Sequence, residues 1–350
     1  MKRCDNLLHL CISHTQKKSG LILFCLLLCV WTMACSSAGK SEQGSINLER
    51  LEKGEDIDTL PHHLWRYVAV PKVGLYASAD STEQPILFMS YGSHLGQAEV
   101  KGAWALIHFY LYYEPGEFMG YYKAWVPTNA IARVEDMRLT NSLVQVEQSP
   151  VDGDILQEQL FDVELIDESV FVEAKRREIP RIQGEKWTQF PLTITRSSRT
   201  MTITAEEATN EYDGLGYIKE LDLYYNLVCG NRYCRWDLFP FDEDRVEDCS
   251  VSAPPLCSPN QKWLYDEYWE EPTSLGAVLI EDGEAKRGIQ CRFPYWRATV
   301  GYCYGDKLPF MDAEGWIYLE VCPSVDNLML MEEEIPHSFL RIRLKESVAH

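Results

Sequence analysis

Cysteine is the residue with most chemistry to offer in this 350-residue chain, and seven of its twelve cysteines lie late: Cys229, Cys234, Cys249, Cys257, Cys291, Cys303 and Cys322. Such a group forms disulfides, holds a metal or supplies a nucleophile. In an oxidising compartment the seven read as a disulfide framework, three bridges and one remaining thiol, with the connectivity open. A metal site would have to use Cys229-x4-Cys234 and Cys249-x7-Cys257. Those spacings are wider than the two-residue knuckle of structural zinc sites, so no metal is expected. A nucleophilic thiolate needs a histidine base within hydrogen-bond reach. Asp248-Cys249-Ser250 is the stretch to test for that role, but only His337 and His350 follow it. The Pro254-Pro255 pair just beyond would also break a helix presenting the thiol. Cys249 is therefore read as a disulfide partner, and no catalytic residue is assigned.

Carboxylates are the other abundant reactive group. Asp242-Glu243-Asp244 and Glu247-Asp248 lack the glycine-containing ligand loop of a calcium site and read as a solvated loop. Glu332-Glu333-Glu334 reads as a surface run. A carboxylate pair for glycoside hydrolysis is defined by geometry, and sequence does not single one out. No phosphate-cradling glycine loop, serine-nucleophile motif or helical metal-binding His pair occurs, and no cofactor is expected. His62-His63 reads as local and exposed.

What the cysteines mean depends on the compartment. Lys2, Arg3, Lys17 and Lys18 precede an apolar run of 11 residues, Leu21 to Trp31, with Ala34 at its end. This is the pattern of an export signal, and the run is shorter than the ~20 residues of a spanning helix. Thr32-Met33-Ala34-Cys35 resembles a bacterial lipobox, with Thr32 and Met33 departing from the favoured residues. The resemblance implies cleavage before Cys35, a diacylglycerol on its thiol, and, with Ser36 next, an outer-membrane location. Residues 1–34 are then the signal peptide and 35–64 the anchor, tether and leader, with a flexible polar run from Ser36 to Gly44. Cleavage takes four Lys/Arg and one Asp from totals of 33 and 53, leaving 29 basic against 52 acidic side chains, a formal charge of −23. Such acidity argues against nucleic acid or anionic lipid as a partner. A hydrophobic content of 46% supports real cores, so the chain is not a disordered acidic tail.

From Trp65 the chain turns to short apolar runs separated by turn residues, the rhythm of a small all-β unit. Leu75-Tyr76-Ala77-Ser78-Ala79-Asp80 is followed by Tyr91-Gly92-Ser93, Ala103-Trp104-Ala105-Leu106-Ile107, Ala124-Trp125-Val126 and Ala130-Ile131. This order resembles the bacterial SH3-like domain over residues 65–135, about a fifth of the chain. It departs in the first loop, which lacks the family's Arg and Gly-Pro, and in having Ala before both tryptophans. The resemblance implies a small barrel that binds peptidoglycan, a peptide or an envelope protein. Between the tryptophan strands, Pro115-Gly116 predicts the turn of a long hairpin whose tip is coated with aromatics. Trp104, Tyr112, Tyr113, Phe118 and Trp125 are the candidate contact residues, since exposed aromatics make effective binding surfaces. Both tryptophans fit the barrel core equally well, and the tyrosines could instead pack on the rest of the protein.

Residues 136–158 read as a linker and 159–350 as a larger β-rich domain of no recognised family. Leu156, Leu160, Val163 and Ile166 fit a helical stripe, whereas Phe161-Val163-Leu165 fits a strand. Hairpins are predicted around Arg196-Ser197-Ser198-Arg199 and Asp282-Gly283. Late strands are predicted at Trp316 to Val321 and Phe339 to Leu344, with Leu340, Ile342 and Leu344 facing one way and Arg341 and Arg343 the other. The expected fold is therefore mainly β, a small SH3-like barrel followed by a disulfide-braced β-rich domain. The expected function is that of a non-enzymatic envelope lipoprotein held to the membrane through Cys35. The alternative is a cell-wall hydrolase or modifying enzyme with its site in the C-terminal domain. An Asp-Cys-Ser stretch resembling that of NlpC-type peptidases points to that alternative, but the 88 residues from Cys249 to His337 exceed the family's spacing.

Overall fold

Two-residue alternation dominates the chain from Glu52 onward, and antiparallel strands are the result. The computed structural model describes residues 50–80, 82–113, 117–150, 159–197, 199–229, 234–241, 250–267, 274–298, 308–325 and 335–345. The signal, Cys35, the Pro115-Gly116 turn, Cys249, Cys303 and the acidic runs at 242–248 and 332–334 lie outside the described residues.

The first sheet uses β1 (Glu52–Lys53), β2 (Trp65–Val68), β5 (His94–Lys101), β6 (Trp104–Tyr113), β7 (Glu117–Pro127) and β8 (Ile131–Ala132), while β3 (Lys72–Leu75) and β4 (Leu87–Ser90) pair separately. The order is β1-β7-β6-β5-β2-β8. The expected small barrel is not closed, because the two ends are two-residue strands with no described pairing to each other. The β3–β4 hairpin is linked to the sheet by an isolated bridge between Tyr76 and Trp125. One face of the β6–β7 ladder is buried, with Ala105, Ile107, Phe109, Tyr122, Ala124 and Val126 packed inside together with Val68, Leu75 and Leu95. Strand β5 has no counterpart in the apolar pattern. His94 and Gly96 occupy its buried positions on one face and Leu95 alone the other, and a histidine and a glycine give no hydrophobic signal.

The rest is built from β9 (Glu147–Pro150), β10 (Phe161–Ile166), α1 (Glu168–Lys175), β11 (Glu185–Lys186), β12 (Leu192–Thr195), β13 (Thr200–Ile203), α2 (Ala205–Asn210), β14 (Leu215–Ile218), β15 (Leu223–Cys229) and β16 (Cys234–Leu238). After these come β17 (Ser250–Ser252), β18 (Leu256–Cys257), β19 (Trp263–Glu267), β20 (Ser274–Glu281), β21 (Glu284–Arg292), β22 (Trp296–Ala298), β23 (Phe310–Met311), β24 (Ile317–Pro323) and β25 (Ser338–Leu344). Three sheets run β10-β25-β24-β22, β11-β14-β15-β16-β17 and β18-β19-β20-β21-β9. The segment from Phe161 is a strand and not the helical alternative, and the helix α1 starts two residues after it. Both predicted hairpins form, β12–β13 and β20–β21. Helix α2 begins with a capping box, in which Thr204 and Glu207 satisfy each other's backbone N–H groups.

The described part of the stretch read as a linker, residues 136–150, is built into the core. Met137, Leu139 and Leu143 are buried in one cluster with Trp263, Trp296 and Ile342, and β9 pairs with β21. Tyr67 and Tyr91 of the first sheet region join the same cluster, and Tyr91 meets the Tyr295 ring edge-on at 5.6 Å. Beside them Gly92 has φ +81°, and a Cβ there would stand 1.9 Å from the Ser324 carbonyl oxygen. Gly92→Ala combines a disfavoured backbone with a backbone clash, so it should cost roughly 2–4 kcal/mol of stability in urea denaturation. An unchanged midpoint would show that the two regions do not depend on this contact.

Candidate functional site

The outer face of the β6–β7 hairpin carries the predicted contact residues. Alternation sets Trp104, Leu106, His108, Tyr110 and Tyr112 on this face of β6, opposite Pro127, Trp125, Lys123, Tyr121 and Phe118 of β7. At the outer end, Tyr110–Tyr112, Tyr112–Phe118 and Phe118–Tyr121 meet edge to face with centroids 5.4, 5.7 and 5.0 Å apart. Tyr112 is 55% and Phe118 48% exposed, so this end is open to solvent. Tyr113 belongs to β6, and its side chain lies outside the described residues.

The two tryptophans take a middle course between core and contact. Both are half-buried, and Tyr76 packs edge-on against Trp104 at 5.2 Å. Trp125 and Trp104 lie six and eight residue pairs down the ladder from the Tyr112–Phe118 pair, in a separate patch. The structure does not bring the five predicted aromatics into one cluster. Tyr110 and Tyr121, half-buried and not singled out from the sequence, adjoin this exposed pair. The two-residue step from Tyr110 to Tyr112 was the signal that marks them.

Between the two patches the face is covered by residues 50–64. β1 pairs with β7, and the Gly54 N–H donates to the Tyr121 carbonyl at 3.0 Å. Ile57 is fully buried, and Leu60 reaches the space a side chain at Gly96 would fill. The Trp65 indole N–H donates to the Ile57 carbonyl at 3.2 Å. The Glu55 N–H donates to Nδ1 of His108 at 2.7 Å. Burial holds the His108 imidazole below its usual pKa. His94 lies on the same face, stacked on Tyr67 and edge-on to Trp65, and burial with His62 close by holds it at about 4. Burial beside the Asp56 carboxylate, to which it is hydrogen-bonded, raises the Tyr121 phenol above its usual value. His63 is exposed as expected, and His62, also exposed, stacks on Trp65 at 4.0 Å.

The late cysteines separate. Cys229 and Cys234 face each other across the β15–β16 hairpin and form a disulfide, with Cα atoms 4.2 Å apart. This removes the pair from the metal alternative, and among the described residues no group of three or more His, Cys, Asp or Glu gathers to hold a metal. Cys257 and Cys291 are thiols, so the expected three bridges are not all formed. Their strand positions explain this. Cys291 on β21 lies opposite Leu275 on one side and Gln148 on the other, and Cys257 on β18 opposite Leu264. Cys322 is buried in the main core. Burial pushes the Cys257 thiol up to about 12 and Cys291 higher still, which removes their nucleophilicity. His337 pairs with Glu320 of β24, the strand that also carries Cys322.

No protein-family model matches this chain, and no curated protein or solved structure does either. No helix among the described residues is long and apolar enough to cross a membrane.

Cys257 and Cys291 should react with Ellman's reagent at pH 8 at least ~100-fold more slowly in the native chain than in denaturant, because their thiolates are suppressed. Rapid native labelling of either, located by peptide mapping, would mean that its sheet opens.

Proposed function

We propose that this chain is a non-enzymatic lipoprotein of the bacterial envelope. In this reading a diacylglycerol on Cys35 holds it to the outer membrane. Its SH3-like module over residues 65–135 binds peptidoglycan, a peptide or a protein partner. The observation that carries the binding part is the open aromatic patch of Tyr110, Tyr112, Phe118 and Tyr121 at the end of the β6–β7 hairpin. Aromatic side chains left in water at a hairpin end cost apolar hydration, and a partner that covers them recovers that free energy. The patch stands on a ladder whose reverse face is locked in the core, so its geometry is preorganised and little ordering is lost on binding.

Purified sacculi and detergent-solubilised envelope proteins should each be tested for retention of the chain. Retention by one of them should fall at least tenfold in the double variant Tyr112→Ser/Phe118→Ser, whose melting temperature should stay within a few degrees because both side chains are exposed. Equal retention of variant and native chain would remove the patch from the reading, and release of soluble muropeptides from the sacculi would overturn the non-enzymatic part. Cys35→Ser should abolish labelling by a fatty-acid analogue and release the chain from membranes, whereas unchanged labelling would refute the anchor.

A further inference from the structure

Residues 50–64 lie across the outer face of the first sheet as a strap, and the groups beneath them include two buried histidines, His94 and His108. The strap's hold on the sheet is asymmetric. Its first part is a short ladder, Glu52 and Lys53 against Lys123 and Tyr122, extended by the Gly54 hydrogen bond. Its second part rests on Ile57 and Leu60, on the hydrogen bonds of Trp65 to the Ile57 carbonyl and of Tyr121 to Asp56, and on the tie to β6 from the Glu55 N–H to His108 Nδ1. A backbone N–H can only donate, so Nδ1 must be the unprotonated nitrogen of the ring. A proton added at Nδ1 would replace this hydrogen bond with two donors facing each other. His94 sits under the other end of the strap, 2% exposed, with Nε2 buried and without a hydrogen-bond partner among the described residues. A second charge there would be buried beside Trp65 and Tyr67.

We infer that the strap is an acid-released latch: protonation of His108 and His94 breaks the Glu55 tie and frees residues 50–64 while the sheet beneath stays folded. The charged and titratable groups around these rings set the direction. His108 faces Glu55 from the strap, which favours its protonated form, and Lys123 from β7, which opposes it and is itself paired with Glu52 of β1 at 2.7 Å. His94 faces His62 of the strap, which opposes a charge, and Asp58, whose Oδ1 is 4.0 Å from Nδ1 and favours one. Tyr67 from β2 stacks on the His94 ring. Burial outweighs the carboxylates at both rings, which lie below the ordinary value of 6.5. Above that value the rings are neutral whether the strap is docked or free, and docking is at full strength. As pH falls below it, the free form takes up protons that the docked form resists, so docking weakens progressively towards about 4. Release would lengthen the connection between residue 50 and the module by up to ~50 Å. That consequence rests on the proposed lipid anchor; the release itself does not.

Hydrogen exchange on the full-length chain, read by mass spectrometry and corrected for the intrinsic pH dependence, tests the latch. Peptides within 50–64 should lose at least tenfold protection between pH 7.5 and 5.0, while peptides from the interior of β6 keep theirs. His108→Asn places a non-titrating carbonyl oxygen where Nδ1 lies, and His94→Phe keeps the ring packing without a titrating group. The double variant should hold the strap at pH 5.0 as it does at pH 7.5. Undiminished strap protection in the native chain at pH 5.0 would overturn the proposal. So would an equal loss in the double variant, which would assign the effect to Asp56, Asp58 and their neighbours, or a simultaneous loss in β6, which would mean global unfolding. If the double variant does not fold, His108→Asn alone should retain the Glu55 amide at pH 5.0, and its exchange at the native chain's rate would equally refute the tie.

Discussion

The β6–β7 ladder is the constraint on which the described architecture of the first region depends. Its ten register pairs run from Trp104–Pro127 to Tyr113–Glu117, and both of its faces carry apolar and aromatic side chains, the outer one with the His108–Lys123 pair among them. A strand pair of that kind cannot be satisfied by one core. Its inner face buries Ala105, Ile107 and Phe109 against Leu95 and Val126. Its outer face is divided among an aromatic patch, the strap over His108, and the Tyr76–Trp104–Trp125 patch. The strap, the isolated Tyr76 bridge and the exposed tyrosines are three local answers to one surplus of apolar surface.

Elsewhere the strands that close the fold come from distant parts of the chain. β10 pairs in register with β25, from Phe161–Leu344 to Ile166–Phe339, and β9 pairs with β21. Those pairings join residues 147–150 to β21 and 161–166 to β25, and Met137, Leu139 and Leu143 end in the same core as Trp263 and Ile342. Non-local ladders of this sort carry a high loop-closure cost, repaid by the large aromatic side chains that they enclose. The outer side of β10–β25 is settled by charge. Arg343 and Arg341 stand directly opposite Asp162 and Glu164, and both guanidinium groups lie over the Trp316 ring at 4.4 and 4.3 Å.

Polar groups inside the fold are mostly tied to local turns. Asp312 is the clearest case: its Oδ1 accepts from the Glu314 and Trp316 N–H groups, and its Oδ2 from the Tyr318 hydroxyl. One carboxylate thus shapes the β23–β24 turn and orients the Tyr318 ring, which stacks on Phe310 at 5.0 Å. The histidines beneath the strap are different, because their polar atoms face a segment that arrives from outside the sheet.

Read alone, the chain determines the strand class, the hairpins around residues 196–199 and 282–283, and the alternation that buries Leu340, Ile342 and Leu344 while Arg341 and Arg343 face out. These are local properties, set by period-two alternation and turn chemistry within a few residues. It also marks Tyr112 and Phe118, because aromatics beside a Pro-Gly turn stand out. Strand β5 is hidden because His94 and Gly96 fill buried positions that owe their burial to a strap some thirty residues earlier. The role of residues 136–150 is hidden because their partners are β21 and the late core. The cysteines show the limit most plainly. Spacing places seven thiols in one region, but a bridge needs two Cβ atoms within about 4 Å. Strand register brings Cys229 opposite Cys234 and sets Cys291 opposite Leu275 and Gln148. Residue type and periodicity are written along the chain, whereas which surfaces meet is decided by pairings between distant segments, and only the tertiary structure contains those.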